Sequence, residues 1–117
     1  MKAIKIKRIY DEALKDDEYR VLIDRLWPRG ISKEDAALDE WNKELSPSTE
    51  LRKWFDHTPE RFEEFSRRYR QELEEQQDEL KRLYSLAKSK QITLLYAARD
   101  EEMNNAVVLR KVLNDYK

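Results

Sequence analysis

Hydrophobic and polar positions alternate at the start of the chain: Ala3, Lys5 and Lys7 fall on one side of residues 3–9, while Ile4, Ile6 and Ile9 lean to the other. A period of two predicts a half-buried strand there. A polar, acidic stretch over residues 11–18 separates it from Tyr19-Arg20-Val21-Leu22-Ile23-Asp24. The Val-Leu-Ile run in that segment predicts a strand buried on both faces. Gln91-Ile92-Thr93-Leu94-Leu95-Tyr96-Ala97, apolar and β-branched, predicts another. Residues 38–45 fit either state, because Leu38, Trp41 and Leu45 have helical spacing in a segment of strand length.

The remaining patterns are helical. Ser32-Lys33-Glu34-Asp35 sets an acid three residues after a serine, a capping-box pattern that opens one short helix. Ser46-Pro47 and Thr58-Pro59 each read as an N-cap followed by proline at the first helical position, which predicts helix starts near 47 and 59. From the second start, Phe62, Phe65, Tyr69, Leu73, Leu80, Leu83, Tyr84 and Ala87 keep helical spacing. An unbroken helix over 59–89 would run about 46 Å at 1.5 Å per residue, longer than the ~35 Å breadth of a domain this size. The polar stretch Glu74-Glu75-Gln76-Gln77 is the expected place for a break, bend or overhang. Asp100 is placed to cap a last helix with Met103, Ala106, Leu109, Leu113 and Tyr116 on its inner face. Strands alternating with helices predict an α/β fold, a small and mainly parallel sheet flanked by helices, in one domain over residues 1–117.

Composition narrows the function classes. Charged residues make up 42% of the chain, but 24 basic against 25 acidic side chains leave a net charge of −1. The excess of Lys and Arg expected of a nucleic-acid binder or a polybasic membrane binder is missing. There is no cysteine, which removes disulfides, thiol nucleophiles and thiolate metal sites. With one histidine besides, no metal site of the usual kind is expected, and no cofactor. No stretch approaches the ~20 apolar residues that span a bilayer, and the start lacks a signal-peptide core, so a cytoplasmic location is the expectation.

Candidate chemistry gathers after the strands. Asp24-Arg25-Leu26-Trp27-Pro28-Arg29-Gly30 follows a buried strand and holds the chain's single glycine, at which a positive φ is expected. Ligands of open parallel sheets bind beyond the carboxyl ends of the strands, where this loop emerges. Guanidinium forks on Arg25 and Arg29 match carboxylate or phosphate oxygens, and Trp27 offers an apolar wall. The same residues also suit a plainer role, with Trp27 and Pro28 in the core and the arginines in ion pairs. Tyr96-Ala97-Ala98-Arg99-Asp100 is a second strand end that runs into a helix, where free N–H groups favour anions and where Asn104 and Asn105 can add amide donors. Ordinary capping by Asp100 explains it as well. Ser48 and Arg52, in the Ser46–Arg52 helix start, are secondary candidates. His57, beside Thr58-Pro59, reads as a turn residue. Glu63–Arg67 and Glu64–Arg68 are i,i+4 pairs typical of a solvated face.

With these residues laid out, the chain resembles the YeaO-like family of small bacterial proteins, a domain-of-unknown-function family. The resemblance is nearly full length. It rests on residues 20–30 (RVLIDRLWPRG), on Glu44-Leu45-Ser46-Pro47-Ser48 with Leu51-Arg52-Lys53-Trp54-Phe55, and on Thr93–Ala98 with Asn104–Leu109. It implies an α/β fold and supplies no reaction. Wider relatives of the family carry a cysteine near the end of the last strand and a Cys-His pair early in the last helix. This chain has Tyr96 and Asn104-Asn105 at those places, and Met103 where close relatives often have histidine.

The leading expectation is therefore a pocket between the Asp24–Gly30 loop and the Tyr96–Asn105 segment for a small anionic ligand, phosphate- or nucleotide-like. In it Arg25, Arg29 and Arg99 hold the anion, Trp27 and Tyr96 the apolar part, and Asn104 and Asn105 the polar edge. Asp24 would orient an arginine or act as a general base, although no nucleophile–base pair that would make the protein an enzyme is visible. The alternative is a nucleic-acid or protein-interaction module that uses Arg61, Arg67, Arg68 and Arg70 on one helix. The net charge and the interleaved glutamates weigh against nucleic acid.

Overall fold

The last strand of the chain lies in the middle of its sheet. In the computed structural model, which describes residues 3–116, β1 (Lys5–Arg8), β2 (Tyr19–Leu22), β3 (Glu40–Trp41) and β4 (Ile92–Tyr96) form one sheet in the order β1-β4-β2-β3, and every pairing is parallel. Leu94 sits between Ile6 and Val21 in the register. All five residues of β4 are buried, as a strand with neighbours on both edges and cover on both faces requires. The expected α/β class and parallel sheet are found; β2 and β4 are direct neighbours, and both deliver their carboxyl ends to one edge. The ambiguous segment 38–45 contributes only the two-residue β3.

The two faces of the sheet are covered unequally. α2 (Thr49–Phe55), α3 (Phe62–Glu74), α4 (Gln77–Ala87) and α5 (Asn105–Asp115) pack on one face and bury the main core, in which Phe65, Tyr69, Leu83 and Leu109 meet Val21, Ile23 and Leu94. The other face has a smaller cluster of Ile9, Leu22, Ala36 and Leu95 beneath the four-residue α1 (Lys33–Ala36), with Trp27 and Trp41 packed against it. A buried ionic group braces this thinner face. Asp17 accepts from Lys7 Nζ at 3.0 Å, from Arg20 Nη1 at 2.5 Å and from the Leu14 N–H at 3.0 Å. Arg20 also donates to the carbonyls of Ala36 and Ala37, which closes the end of α1.

The long helical pattern does break where its polar stretch lies: α3 stops at Glu74 and α4 starts at Gln77, with Gln76 out of helical geometry (φ −115°, ψ 41°). The molecule measures 37 × 35 × 21 Å, so a straight helix over 59–89 would have overhung it.

Three helix starts differ from expectation. Ser32 caps α1 as expected, accepting from Asp35 N at 3.0 Å. Ser46, however, is buried and donates to the Asn42 carbonyl. The cap of α2 is Ser48, which accepts from Leu51 N at 3.1 Å. Pro59 opens a 3-10 turn (Pro59–Arg61) that leads into α3, and the Thr58 side chain caps nothing because it donates to the Asp56 carbonyl. The cap of α5 is Asn104, not Asp100: Asp100 instead accepts from the N–H groups of Glu102 and Met103 and closes a turn ahead of the helix. Met103 is consequently outside α5 and exposed, while Ala106, Leu109 and Leu113 form its inner face. Among the described residues no helix is long and apolar enough to cross a membrane.

Candidate functional site

β1, β4 and β2 all end on one side of the sheet, and the segments that follow them enclose an open cleft of about 1300 Å3. One wall is Leu26-Trp27-Pro28-Arg29 after β2, and the facing wall is Ala97–Asp100 with Met103, Asn104 and Asn105 after β4. Arg8 and Tyr10, at the end of β1, flank the second wall. The third side comes from Pro47 and from α2 and its C-terminal turn: Arg52, Lys53, Phe55, Asp56 and His57.

The floor is held by Asp24. Its Oδ2 accepts from the Ala97 N–H at 2.9 Å and its Oδ1 from Asn105 Nδ2 at 3.0 Å, so one carboxylate joins the ends of β2 and β4 to the first turn of α5. Burial pushes this carboxyl above its ordinary value, against the pull of the two hydrogen bonds and of His57 and Arg52. Asn105 also donates to the Ile23 carbonyl, and Asn104 bridges Val107 N and the Asp100 carbonyl.

The arginines of the Asp24–Gly30 loop part company. Arg25 turns away from the cleft and donates to the carbonyls of Pro47 (2.9 Å) and Ser46 (3.3 Å), which fixes the segment entering α2. Among the described residues it makes no ion pair, and its guanidinium is taken up by these two carbonyls. Arg29 is exposed on the rim, and its carbonyl accepts from the Tyr10 hydroxyl at 2.7 Å. Trp27 is half-buried: its Nε1 donates to the Ile31 carbonyl and its ring meets Trp41 edge-on at 5.4 Å, while one side lines the cleft. Gly30 has φ +75°, the left-handed geometry that a lone glycine suggested.

Tyr96 lies outside the cleft, 3% exposed and packed in the main core. Ser48, the cap of α2, also lies outside it, with its hydroxyl on Glu72 Oε2 at 2.5 Å. Arg99 and Arg52 are exposed and line the cleft.

The structure adds residues that sequence reasoning passed over. Arg8 donates to the carbonyls of Ala97 and Ala98 and steadies the second wall. His57 is a turn residue, as its setting suggested, but it also lines the cleft; it and Asp56 are two successive non-glycine residues in the left-handed region, at φ 50° and 47°. Lys53 lines the same side. The rule that ligands meet parallel strands at their carboxyl ends applied equally to β1 and would have drawn in Arg8 and Tyr10.

Charge around the cleft is unbalanced in one respect. The side chains of Arg29, Arg52, Lys53 and Arg99 make no hydrogen bond or ion pair among the described residues. Elsewhere Arg20 pairs with Asp17, Arg67 and Arg68 with Glu64, and Arg82 with Glu40 and Glu79, while among the described residues Arg70 and Arg110 make no hydrogen bond or ion pair either, each away from this cleft. Of the cleft's three acids, Asp24 is engaged by Ala97 and Asn105 and Asp100 by the N–H groups of Glu102 and Met103, while the exposed Asp56 carboxylate makes no hydrogen bond among the described residues, one acid against four cations.

Comparison with known proteins places this arrangement in a family. The chain is 51% identical over 106 residues to the uncharacterized protein YeaO of Escherichia coli, covering 91% of this chain and 92% of that one. It is 40% identical over 111 residues to the uncharacterized protein Rv3073c of Mycobacterium tuberculosis, covering 95% and 93%. No solved structure gives a significant match. The model of the inactive DUF488-N3 subclade matches residues 3–116, and the chain belongs to that subclade, among the YeaO-like proteins.

Proposed function

We propose that the cleft at the carboxyl ends of β1, β4 and β2 binds a small phosphate-like anion. The observation that carries this reading is the set of four cations on the walls of one cleft, Arg29, Arg52, Lys53 and Arg99, whose side chains make no hydrogen bond or ion pair among the described residues. Like charges on the walls of one cleft repel one another, and an anion between them relieves that repulsion. Trp27 supplies an apolar wall beside Arg29. Asp24, Asn104, Asn105 and Arg25 serve as braces for the walls, because their polar atoms are engaged with the protein's own backbone and with one another.

Binding without turnover is the form this proposal takes. Among the described residues the cleft lining has no serine, threonine or cysteine hydroxyl or thiol, and the Tyr10 hydroxyl is held on the Arg29 carbonyl. The subclade's description as inactive agrees with that. The rival reading, a partner surface on the Arg61–Arg70 helix, keeps only Arg70 as an exposed arginine without a hydrogen bond or ion pair among the described residues. Arg67 and Arg68 share Glu64, Arg61 donates to the Trp54 carbonyl, and Arg61 and Arg68 both lie over the Trp54 ring.

Thermal unfolding in inorganic phosphate tests the proposal. A ligand that binds only the folded state stabilises it by about 2.7 kcal/mol at a hundredfold excess over Kd. The parent protein should gain stability in phosphate beyond its gain in chloride of equal ionic strength. Arg52→Met and Arg99→Met should each lose most of that difference. A parent that responds identically to both salts overturns the assignment.

A further inference from the structure

The cleft also concentrates apolar surface. Among the described residues four large hydrophobic side chains are exposed, Tyr10, Leu14, Leu26 and Met103, and all but Leu14 line this cleft. An inorganic ion makes no use of such surface, and a soluble protein leaves apolar side chains together in a concavity chiefly where something covers them.

The polar groups around that surface are turned inward. Trp27 Nε1 donates to the Ile31 carbonyl and the Tyr10 hydroxyl to the Arg29 carbonyl. Asn105 gives its amide to Ile23 and Asp24, Asn104 gives its own to the Asp100 carbonyl, and the two residues are 9% and 1% exposed. Amides and ring N–H groups are what reads the edge of a nucleobase. In this cleft those of Trp27, Asn104 and Asn105 hold the protein together; the exposed His57 imidazole, on the α2 side, is the ring N–H group left without a hydrogen bond among the described residues, and the remaining surface towards the ligand is apolar next to cations.

We infer that the ligand is an organic anion whose phosphate- or carboxylate-like head is carried on an apolar body poor in hydrogen-bonding groups, with Arg29, Arg52 and Arg99 at the head and Leu26, Met103 and Tyr10 against the body. This rests on the anion-site reading above and narrows it, away from nucleotides and from inorganic phosphate. Leu26 and Met103 are flexible aliphatic side chains, which grade ligands by apolar area more than by ring shape.

Calorimetric titration of the intact protein with inorganic phosphate, phenyl phosphate and AMP separates the cases, because the three share a head and differ in the body. Phenyl phosphate should bind about tenfold more tightly than inorganic phosphate, the gain from covering part of one ring. AMP should bind no more tightly than phenyl phosphate. The Leu26→Ser/Met103→Ser variant, which changes two exposed side chains, should bring the ratio of phenyl phosphate to phosphate affinity towards one, while Arg52→Met weakens all three ligands. Equal affinity for phosphate and phenyl phosphate overturns this inference and leaves the anion site standing. A clear preference for AMP over phenyl phosphate overturns it in the same way. Failure of all three to bind removes the anion site and this inference together.

Discussion

Asn105 Nδ2 donates to Asp24 Oδ1 at 3.0 Å, and through that contact the first turn of α5 is tied to the end of β2 beneath the cleft. The other carboxylate oxygen holds the Ala97 N–H after β4. The two principal walls of the cleft therefore share one brace, and the brace is titratable.

Asp24 should make the protein lose stability as pH rises through the mildly acidic range. Its carboxyl is pushed up by burial, so the folded state keeps the proton to higher pH than the unfolded chain does. Below the ordinary carboxylate value both states are protonated; above it the unfolded chain ionises first, and stability falls until the folded carboxyl ionises too. Asp24→Asn removes that fall. Urea midpoints taken from about pH 3 to about pH 6 should shift in favour of the variant, relative to the parent, as pH rises. A constant difference would mean that Asp24 is not a raised carboxyl.

Asp17 should act with the opposite sign. Burial works against its charge, but the Leu14 N–H, Lys7 and Arg20 together outweigh burial and hold the carboxyl below its ordinary value. Its contribution is therefore present above the unfolded value and lost as pH falls through the folded one. Asp17→Asn leaves Arg20 buried without its partner and should cost about 3–5 kcal/mol at neutral pH by chemical denaturation.

The two arginines of one loop should respond differently to the same change. Arg25→Met removes two charge-assisted bonds to the Ser46 and Pro47 carbonyls and should cost about 1.5–3 kcal/mol. Arg29→Met, on the exposed rim, should change the ligand-free protein by no more than about 0.5 kcal/mol while reducing its response to phosphate. Equal losses in both variants would contradict the division of roles between them.

Gly30→Ala should cost about 1 kcal/mol. A Cβ at Gly30 meets no atom within 4 Å, so the whole cost is that of holding an L-residue at φ +75°. Thermal denaturation of the single variant measures it directly.

What was legible in the chain follows a physical division. Strand identity and neighbourhood rested on apolar runs, and those hold for β2 and β4 because a strand buried on both faces has few alternatives. The break at Glu75–Gln76 was readable as a polar interruption in an otherwise regular period. Side-chain direction was not readable. Arg25 and Arg29 are chemically alike, and only the Ser46 and Pro47 carbonyls, brought in from outside the loop, decide which of them faces away. A position at a strand end suggests Tyr96 for the pocket, but β4 is covered on both faces up to that residue, which leaves it in the core. Asp100 and Asn104 are both good caps, and the turn that Asp100 closes passes the role to Asn104.

The strand order has a consequence for how the protein comes together. β1 and β2 do not touch; each pairs with β4, which is the last strand along the chain and enters between them. Until residues 92–96 arrive, the first strand has no partner, and the walls of the cleft have no common floor. Contacts across such a span of sequence form slowly, because a long loop must close before any of them is gained. Assembly cannot proceed from the amino end as a growing sheet. Both β1 and β2 need β4 as their common neighbour, and the cleft exists only once all three are paired.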